Sequence, residues 1–168
     1  VIADLAAEWE LFARQVCYGY DIERSAIEFA GGTTLSESDD VHRTSVAADR
    51  GWQSSGLLVH AGRAYEITAK GRTALAQIPR PWESEPQGIS IRYAHGRPIG
   101  RLLGVIISEP DPGIGRRRVS EVIDLGRDAV LTAPLDGTLY LRVNDFWNEL
   151  ADNTGEYAVT ARVLTSDK

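Results

Sequence analysis

The fold of this chain is limited most by a series of short apolar or alternating segments between residues 44 and 164. Clusters of Gly, Pro, Asp and Asn separate these segments, and no helical pattern lies between them. Many short strands with turn residues between them are typical of antiparallel β-sandwiches and barrels. We therefore predict a mainly β protein with an antiparallel sandwich over residues 40–168. The segments cover residues 44–48, 56–60, 64–69, 89–93, 102–107, 119–123, 129–133, 138–143 and 157–164.

The N-terminal residues follow a different pattern, which we interpret as a helical lead-in and linker over residues 1–39. Between Ile2 and Val16, apolar residues recur at steps of three and four, as along one face of a helix. Asp4 would cap this helix or lie in its first turn. The segment either covers an exposed sheet edge or belongs to a preceding domain. The predicted apolar face consists of Ile2, Leu5, Ala6, Trp9, Phe12, Ala13 and Val16.

Two further features complete this lead-in. A second short helix is predicted over residues 22–29, because the Gly31-Gly32 pair would end it. Residues 33–40 are polar and rich in turn formers, which is typical of a linker.

The composition argues against several kinds of function. A net charge of -6 argues against non-specific nucleic-acid binding, which needs a dense basic surface. No apolar run is long enough to span a bilayer, so membrane insertion is not expected. The single Cys17 cannot form an internal disulfide, and we expect a buried structural thiol there. Because the chain begins with Val1 and contains no Met, we expect a fragment of a longer precursor.

An oxygen-rich loop over residues 144–155 lies between two segments that alternate like strands, so we predict a long hairpin connection or a close relative of one. A hard cation such as calcium takes carboxylate, amide and backbone carbonyl oxygens as ligands. The loop lacks EF-hand spacing, and its residue types are also ordinary turn formers. A metal site and a plain turn therefore both stay open on spacing alone. The loop reads Asn-Asp-Phe-Trp-Asn-Glu-Leu-Ala-Asp-Asn-Thr-Gly.

The segment from Asp145 to Val159 resembles the calcium loop of the soluble galactose-binding bacterial lectins of the PA-IL type. In that family an Asn-Asp pair ends a strand, and two adjacent Asn residues follow at positions matched here by Asp152 and Asn153. Residues 82–88 are similar to the Gln-Gly segment that borders the family's sugar pocket. The resemblance covers about residues 52–164 and implies a jelly-roll sandwich of the galactose-binding-domain-like group.

Carried over position by position, the resemblance implies a calcium site. Asp145, Asp152 and Asn153 would supply side-chain oxygens to the ion. The backbone carbonyls of Glu149 and Leu75 would lie beside them. In the family the sugar adds two hydroxyls to the same ion, so the cation both holds the loop and recognises the ligand.

The resemblance also implies a set of ligand-binding residues. Besides Asp145 and Asp152 themselves, Gln87 would contact a sugar hydroxyl. Phe146, Trp147 and Trp82 could offer an aromatic platform to a sugar ring, although a Trp in a β-sandwich is more often part of the core. Asp152 stands where the family has Asn, which adds a negative charge and removes an amide donor. This departure favours the ion more than the sugar.

Catalytic patterns are weak in this sequence. No Gly-x-Ser-x-Gly elbow or His-Glu-x-x-His helix is present. Glu83 and Glu85 could form a glycosidase carboxylate pair with Asp145 or Asp152, but metal ligation explains the latter two more simply. The histidines are scattered and are typical of surface or capping positions; they are His42, His60 and His95.

We therefore expect a non-catalytic, calcium-dependent carbohydrate-binding module of the galactose type. Its parent would be a secreted bacterial protein, located in the extracellular space or the periplasm. The expected partner is a galactoside-like glycan, and a homo-oligomer is left open. The alternative is an accessory sandwich whose calcium is purely structural and whose partner is a protein or nothing. A glycan-active enzyme is a third interpretation.

Overall fold

The computed structural model describes residues 1–14, 18–36, 40–78 and 80–164. Two β-sheets pack face to face, which confirms the predicted mainly β sandwich with an N-terminal helix. The helices are α1 (Ile2–Ala13) and α2 (Ile22–Ser25). The strands are β1 (Thr33–Thr34), β2 (Val41–Ala47), β3 (Gln53–Val59), β4 (Ala64–Ala74), β5 (Glu83–Ser84), β6 (Gln87–Ala94), β7 (Arg97–Ile107), β8 (Ile123–Asp124), β9 (Asp128–Thr132), β10 (Gly137–Val143) and β11 (Thr154–Val163).

The two sheets have distinct strand orders. The first sheet runs β1-β3-β10-β7-β6, and β8 pairs with β7 outside this path. The second sheet runs β2-β11-β4-β5, and β9 pairs with β4. The pairings are antiparallel except that of β1 with β3, which is parallel. Chain neighbours such as β10 and β11 therefore lie in different sheets.

The connection from β10 to β11 differs from the prediction. β10 lies between β3 and β7 in the first sheet, whereas β11 lies between β2 and β4 in the second. The predicted hairpin is therefore wrong. Residues 144–153 instead bridge the two sheets, and we call them the arch loop. Apolar alternation could not show this, because a strand alternates in the same way whichever strand lies beside it.

The core between the sheets follows the alternation predicted from the sequence. In β11, Tyr157, Val159, Ala161 and Val163 are buried, and the residues between them are exposed or half-buried. They pack against the inward-facing side chains of the first sheet in one continuous cluster. This packing fixes the registers of β4 and β11, and with them the position of the arch loop between the sheets.

A second apolar cluster covers the outer face of the first sheet. Ala7 and Leu11 of α1 and Ile27 of the following segment pack with residues of β7, β10 and the arch loop. Every residue of β10 is buried as a result. The alternation of apolar and polar residues in this strand is typical of a strand with one face in water, but the N-terminal segment covers that face. The sheet and loop residues in the cluster include Leu103, Val105, Ile107, Tyr140, Trp147 and Leu150.

The first predicted helix is present, but a different face of it is buried. Ala3, Ala7 and Leu11 face the sheet, whereas Leu5 and Trp9 of the predicted apolar face are 66% and 63% exposed. Small residues allow the helix to approach the sheet closely, which a count of large apolar residues does not predict. Asp4 lies in the first turn, as predicted. Val16 and Cys17 lie outside the described residues.

Other elements differ from the prediction in extent. The second helix is a single turn, α2, rather than the predicted range 22–29. Of residues 119–123, Val119 forms only an isolated bridge with Ile107, and β8 begins at Ile123. The predicted linker contains β1, which pairs with β3. None of the described helices has the length and apolar character needed to cross a membrane.

Candidate functional site

Asp145, the first predicted calcium ligand, is buried at the start of the arch loop and only 1% exposed. Its Oδ1 accepts a hydrogen bond from the backbone N–H of Phe146 (2.8 Å), and its Oδ2 accepts one from Nδ2 of Asn153 (3.0 Å). Asn153 directly precedes β11, so this contact joins the two ends of the arch loop. The structure therefore brings two of the predicted ligands into direct contact.

The electrostatic setting of Asp145 is unfavourable for its charged form. Burial raises the pKa of Asp145 to about 6, with a smaller contribution in the same direction from the Glu149 carboxylate. The hydrogen bonds from Asn153 and Phe146 and the charge of Arg142 oppose this rise. At neutral pH the carboxylate is therefore a buried anion that its neighbours compensate only in part. A bound cation would stabilise such a group.

Asn153 holds an unused acceptor beside Asp145. Its Nδ2 donates to the carboxylate and also to the backbone carbonyl of Ala48 (3.2 Å), which follows β2. Its Oδ1 is buried and has no hydrogen-bond partner within the described residues. A buried polar atom without a partner costs about 1–3 kcal/mol. An amide oxygen of this kind is a suitable ligand for a hard cation.

Asp152 and Leu75, two other predicted ligands, lie close to this pair. The Asp152 side chain is exposed, and its backbone carbonyl accepts a hydrogen bond from Nε2 of Gln77 (3.1 Å). Leu75 lies one residue past Ala74, which pairs with Thr154 at the start of β11. Leu75 is thus level with the end of the arch loop. This position is compatible with the predicted role of its backbone carbonyl as a metal ligand.

The side chain of Glu149 is already engaged. Its two carboxylate oxygens accept hydrogen bonds from Nη1 and Nη2 of Arg92 at 2.5 Å and 2.9 Å. This bidentate contact ties the arch loop to β6. Only the backbone carbonyl of Glu149 could therefore serve as a metal ligand, which is the role that the resemblance implies.

The arch loop fits a calcium ion in part. Within residues 1–14, 18–36, 40–78 and 80–164, no group of three or more His, Cys, Asp and Glu side chains could hold a metal. Asp145 and Asn153 offer one carboxylate and one free amide oxygen. The remaining ligands would have to be the exposed Asp152 side chain and the carbonyls of Glu149 and Leu75, which suits calcium better than a metal that prefers nitrogen or sulfur.

Gln87, the predicted hydroxyl contact, lies at the same end of the molecule as the arch loop. It pairs with Arg101 of β7, whose carbonyl accepts a hydrogen bond from the N–H of Asn144 (2.8 Å). Two strand spacings therefore separate Gln87 from the arch loop, which is roughly 10 Å. Its side chain is exposed, and Nε2 donates to Oε2 of Glu85 at 3.4 Å.

The predicted aromatic platform is partly covered. Trp82 and Phe146 are half-buried and pack against the core between the sheets. The guanidinium of Arg92 lies 4.5 Å from the centre of the Phe146 ring, and the ring of His95 lies 5.7 Å from it. Trp82 and Phe146 therefore contribute to packing as well as to the exposed surface. Trp147 is only 1% exposed, so its part in the predicted platform is wrong, and it packs beneath the N-terminal segment instead.

Two supporting residues were missed by sequence reasoning. Arg142 is fully buried; its Nη2 donates to the backbone carbonyl of Asp145 (2.6 Å), and its guanidinium lies 3.4 Å from the centre of the Trp147 ring. Asn144 directs its amide at the carbonyls of the β6–β7 turn, at 2.8 Å from that of Pro98. The sequence signal for Asn144 was its place at the strand end, whereas no signal indicated a buried Arg142.

The histidines lie on separate elements. His42 on β2 contacts the carbonyl of Ser55 at 2.6 Å, and His60 after β3 contacts Asp136 at 3.3 Å. His95 lies in the β6–β7 turn against Phe146. Of the three, only His60 is exposed; His42 and His95 are half-buried, and Nε2 of His95 is buried without a hydrogen-bond partner among the described residues.

Comparisons with known proteins identify a lectin-like fold. The structure is similar to that of the N-terminal domain of EclA, a PllA-like lectin, with a TM-score of 0.54 and 21% sequence identity over 73% of this chain and 95% of that chain. A weaker similarity is found to PliG from Aeromonas hydrophila, a periplasmic inhibitor of g-type lysozyme, with a TM-score of 0.38 and 9% identity over 83% of this chain and 99% of that chain. This second similarity is too low to support an argument.

Sequence comparisons add no family assignment. No protein-family model matches the chain, and no curated protein matches it significantly. At 21% identity, the likeness to the EclA domain concerns the fold alone. The comparisons therefore assign the chain a fold only, a mainly β sandwich with a lectin-like arrangement of sheets.

Proposed function

We propose that this chain is a non-catalytic carbohydrate-binding module that recognises a galactoside-like glycan through calcium bound at the arch loop. The observation that carries the proposal is the buried Asp145–Asn153 pair, in which a carboxylate that is only 1% exposed contacts an Asn whose amide oxygen has no partner among the described residues. The lectin-like fold supports it, since the structural neighbour is described as a lectin. Calcium-binding modules of modest affinity act where the ion is plentiful, so we propose an extracellular or periplasmic location.

The protein groups would act as follows. Asp145 and Asn153 would hold the ion from the two ends of the arch loop, and Asp152 would hold it from the solvent side. Calcium tolerates six to eight oxygen ligands, so it can offer positions to two sugar hydroxyls. Arg142 fixes the carbonyl of Asp145, and Arg92 fixes Glu149, so the loop is ordered before any ligand arrives.

A second candidate function is an accessory sandwich with a structural calcium. Both carboxylate oxygens of Asp145 already accept hydrogen bonds, and the side chain is 1% exposed. A sugar hydroxyl would therefore reach the ion mainly past Asp152. In this alternative the ion would stabilise the loop between the sheets without binding a glycan.

Thermal unfolding separates these functions. With about 1 mM calcium, the wild-type protein should melt several degrees higher than in a chelator, and a galactoside should add a further increase, because a ligand of the native state stabilises it by mass action. Asp145→Asn should lose the calcium effect. Asp128→Asn, which changes an exposed carboxylate on β9, should retain it.

The outcomes of this experiment distinguish the two functions and test the assignment of the site. If calcium raises the melting temperature but a galactoside does not, and if no glycan on an array binds the protein, the structural alternative is favoured. No calcium effect in the wild-type protein, or an equal effect in Asp145→Asn, would exclude the arch loop as the site.

A further inference from the structure

The second sheet has a gap in its outer edge, which we call the edge notch. β9 pairs with β4 at residues 64–68, and β5 pairs with it at residues 73–74, both on the side away from β11. The N–H of Ala69 still donates to the backbone carbonyl of Arg127 (2.7 Å), but no described strand pairs with residues 70–72 on that side. The edge notch has a volume of about 330 Å³ and is lined by Ala69, Lys70, Gly71, Arg72, Glu85, Pro86 and Arg127.

The edge notch carries an excess of positive charge. Lys70, Arg72 and Arg127 line it together with one carboxylate, Glu85. A second carboxylate, that of Glu83, lies 3.6 Å from Nη1 of Arg72, so three cationic groups face two anionic ones. Arg127 donates to Oε2 of Glu85, and Nε of Arg72 lies 3.7 Å from its Oε1. The ammonium group of Lys70 contacts no carboxylate of the described residues. Such an excess is notable in a chain with a net charge of -6, whose overall field repels anions.

The cationic side chains are free enough to meet a ligand. The side chain of Arg72 is 70% exposed and that of Arg127 is 53% exposed. A guanidinium can donate two parallel hydrogen bonds to a carboxylate or sulfate, which a lone ammonium cannot do. The edge notch therefore presents two groups with the geometry that an oxyanion requires.

The edge notch also adjoins the site of the proposed function. Glu85 accepts a hydrogen bond from Gln87, the predicted hydroxyl contact. Arg72 lies two residues before Ala74, which pairs with Thr154 next to the arch loop. At about 3.3 Å per residue, this places the edge notch roughly 10 Å from the end of the arch loop. A sugar of ordinary size at Gln87 could extend a substituent into it.

We propose that the edge notch binds an oxyanion, either a carboxylate or a sulfate, on the glycan that the module recognises. The inference rests on the proposed carbohydrate-binding function and names the class of sugar. Arg127 and Arg72 would hold the oxyanion, Lys70 would add charge, and Glu85 would orient Arg127. The opposing explanation is that these charges only protect an open sheet edge from pairing with another chain.

Calorimetric titration with galactose, galacturonate and galactose 6-sulfate in the presence of calcium tests the inference. An ionised sugar should bind about tenfold more tightly than galactose at about 50 mM NaCl, the size of one charge-assisted contact. The preference should shrink at about 500 mM NaCl, because salt screens exposed charges. The stronger of the two ionised sugars identifies the oxyanion.

A double variant and a matched control complete the test. K70Q/R127Q should bind the ionised sugars no more tightly than the wild-type protein binds galactose. R43Q, which changes an exposed arginine on β2 at the opposite edge of the same sheet, should keep the preference.

The remaining outcomes distinguish this inference from the proposed function. Equal binding of all three sugars by the wild-type protein would overturn the inference and leave the proposed function standing. Absence of binding to any of the three would overturn both. A preference that survives in K70Q/R127Q, with self-association of the variant in light scattering, would assign the charges to edge protection instead.

Discussion

At the scale of single residues, the buried carboxylate of Asp145 makes the stability of the protein depend on pH. Its folded-state pKa of about 6 lies above the value of about 4 for an unfolded Asp, so the folded state binds more protons between these values. Stability should therefore fall as pH rises from 4 to 6, by about 3 kcal/mol from this group alone. Above pH 6 the penalty is complete, and below pH 4 it is absent.

Urea unfolding in a chelator measures this contribution. Between pH 4 and pH 7, the wild-type protein should lose about 3 kcal/mol relative to Asp145→Asn, which does not titrate. Other titrating groups cancel in the difference. A constant difference between the two proteins across this range would show that Asp145 has an ordinary pKa.

The same proton would compete with calcium at the proposed site. A ligand carboxylate must be ionised to bind the ion, so calcium affinity should fall about tenfold for each pH unit below 6. The calcium-induced rise in melting temperature should therefore shrink sharply between pH 7 and pH 5. An unchanged rise at pH 5 would mean that the ion binds elsewhere.

At the scale of elements, α1 stabilises the first sheet through its small-residue face. Leu11 is 3% exposed beneath the helix, whereas Leu5 on the same helix is 66% exposed. Leu11→Ala should therefore cost about 2–4 kcal/mol of unfolding free energy, and Leu5→Ala should cost less than about 0.5 kcal/mol. Urea denaturation of both variants measures this. Equal costs would show that α1 packs by the face predicted from its large apolar residues.

The elements show which part of the fold was predictable. Alternation in residues such as Tyr157, Val159 and Val163 depends on local geometry, so β11 could be predicted from the sequence. The burial of β10 on both faces depends on a segment more than 100 residues away in the sequence, and no local pattern reports it. Short strands such as β5 pair through two residues, which is too few for a periodic signal.

The candidate site was predictable to a similar degree. The resemblance named Asp145 and Asn153, and the structure places them in contact. It did not predict that Arg92 would engage Glu149, because Arg92 comes from β6, a separate strand. It also did not predict a buried Arg142, because the burial of this residue depends on elements that cover β10. The spacing of residues in the sequence can indicate which residues belong to the arch loop. Which charged residues contact them depends on the tertiary fold.

At the scale of the whole molecule, the arch loop connects the two sheets directly. Ligands that order it should therefore protect strands in both sheets. In hydrogen exchange, calcium should slow the amides of β10 in the first sheet and of β11 in the second. Protection confined to residues 144–153 would indicate a local effect without consequence for the sandwich.

The crossing between sheets also limits how this loop can vary in evolution. A hairpin absorbs inserted residues at its free tip, whereas the arch loop must span a fixed gap of about 10 Å between packed sheets. Both of its ends are tied down, by Asp145 to Asn153 and by Asn153 to Ala48. Relatives of this protein should therefore vary the arch loop by substitution rather than by insertion, and should vary in length at other connections of the sandwich.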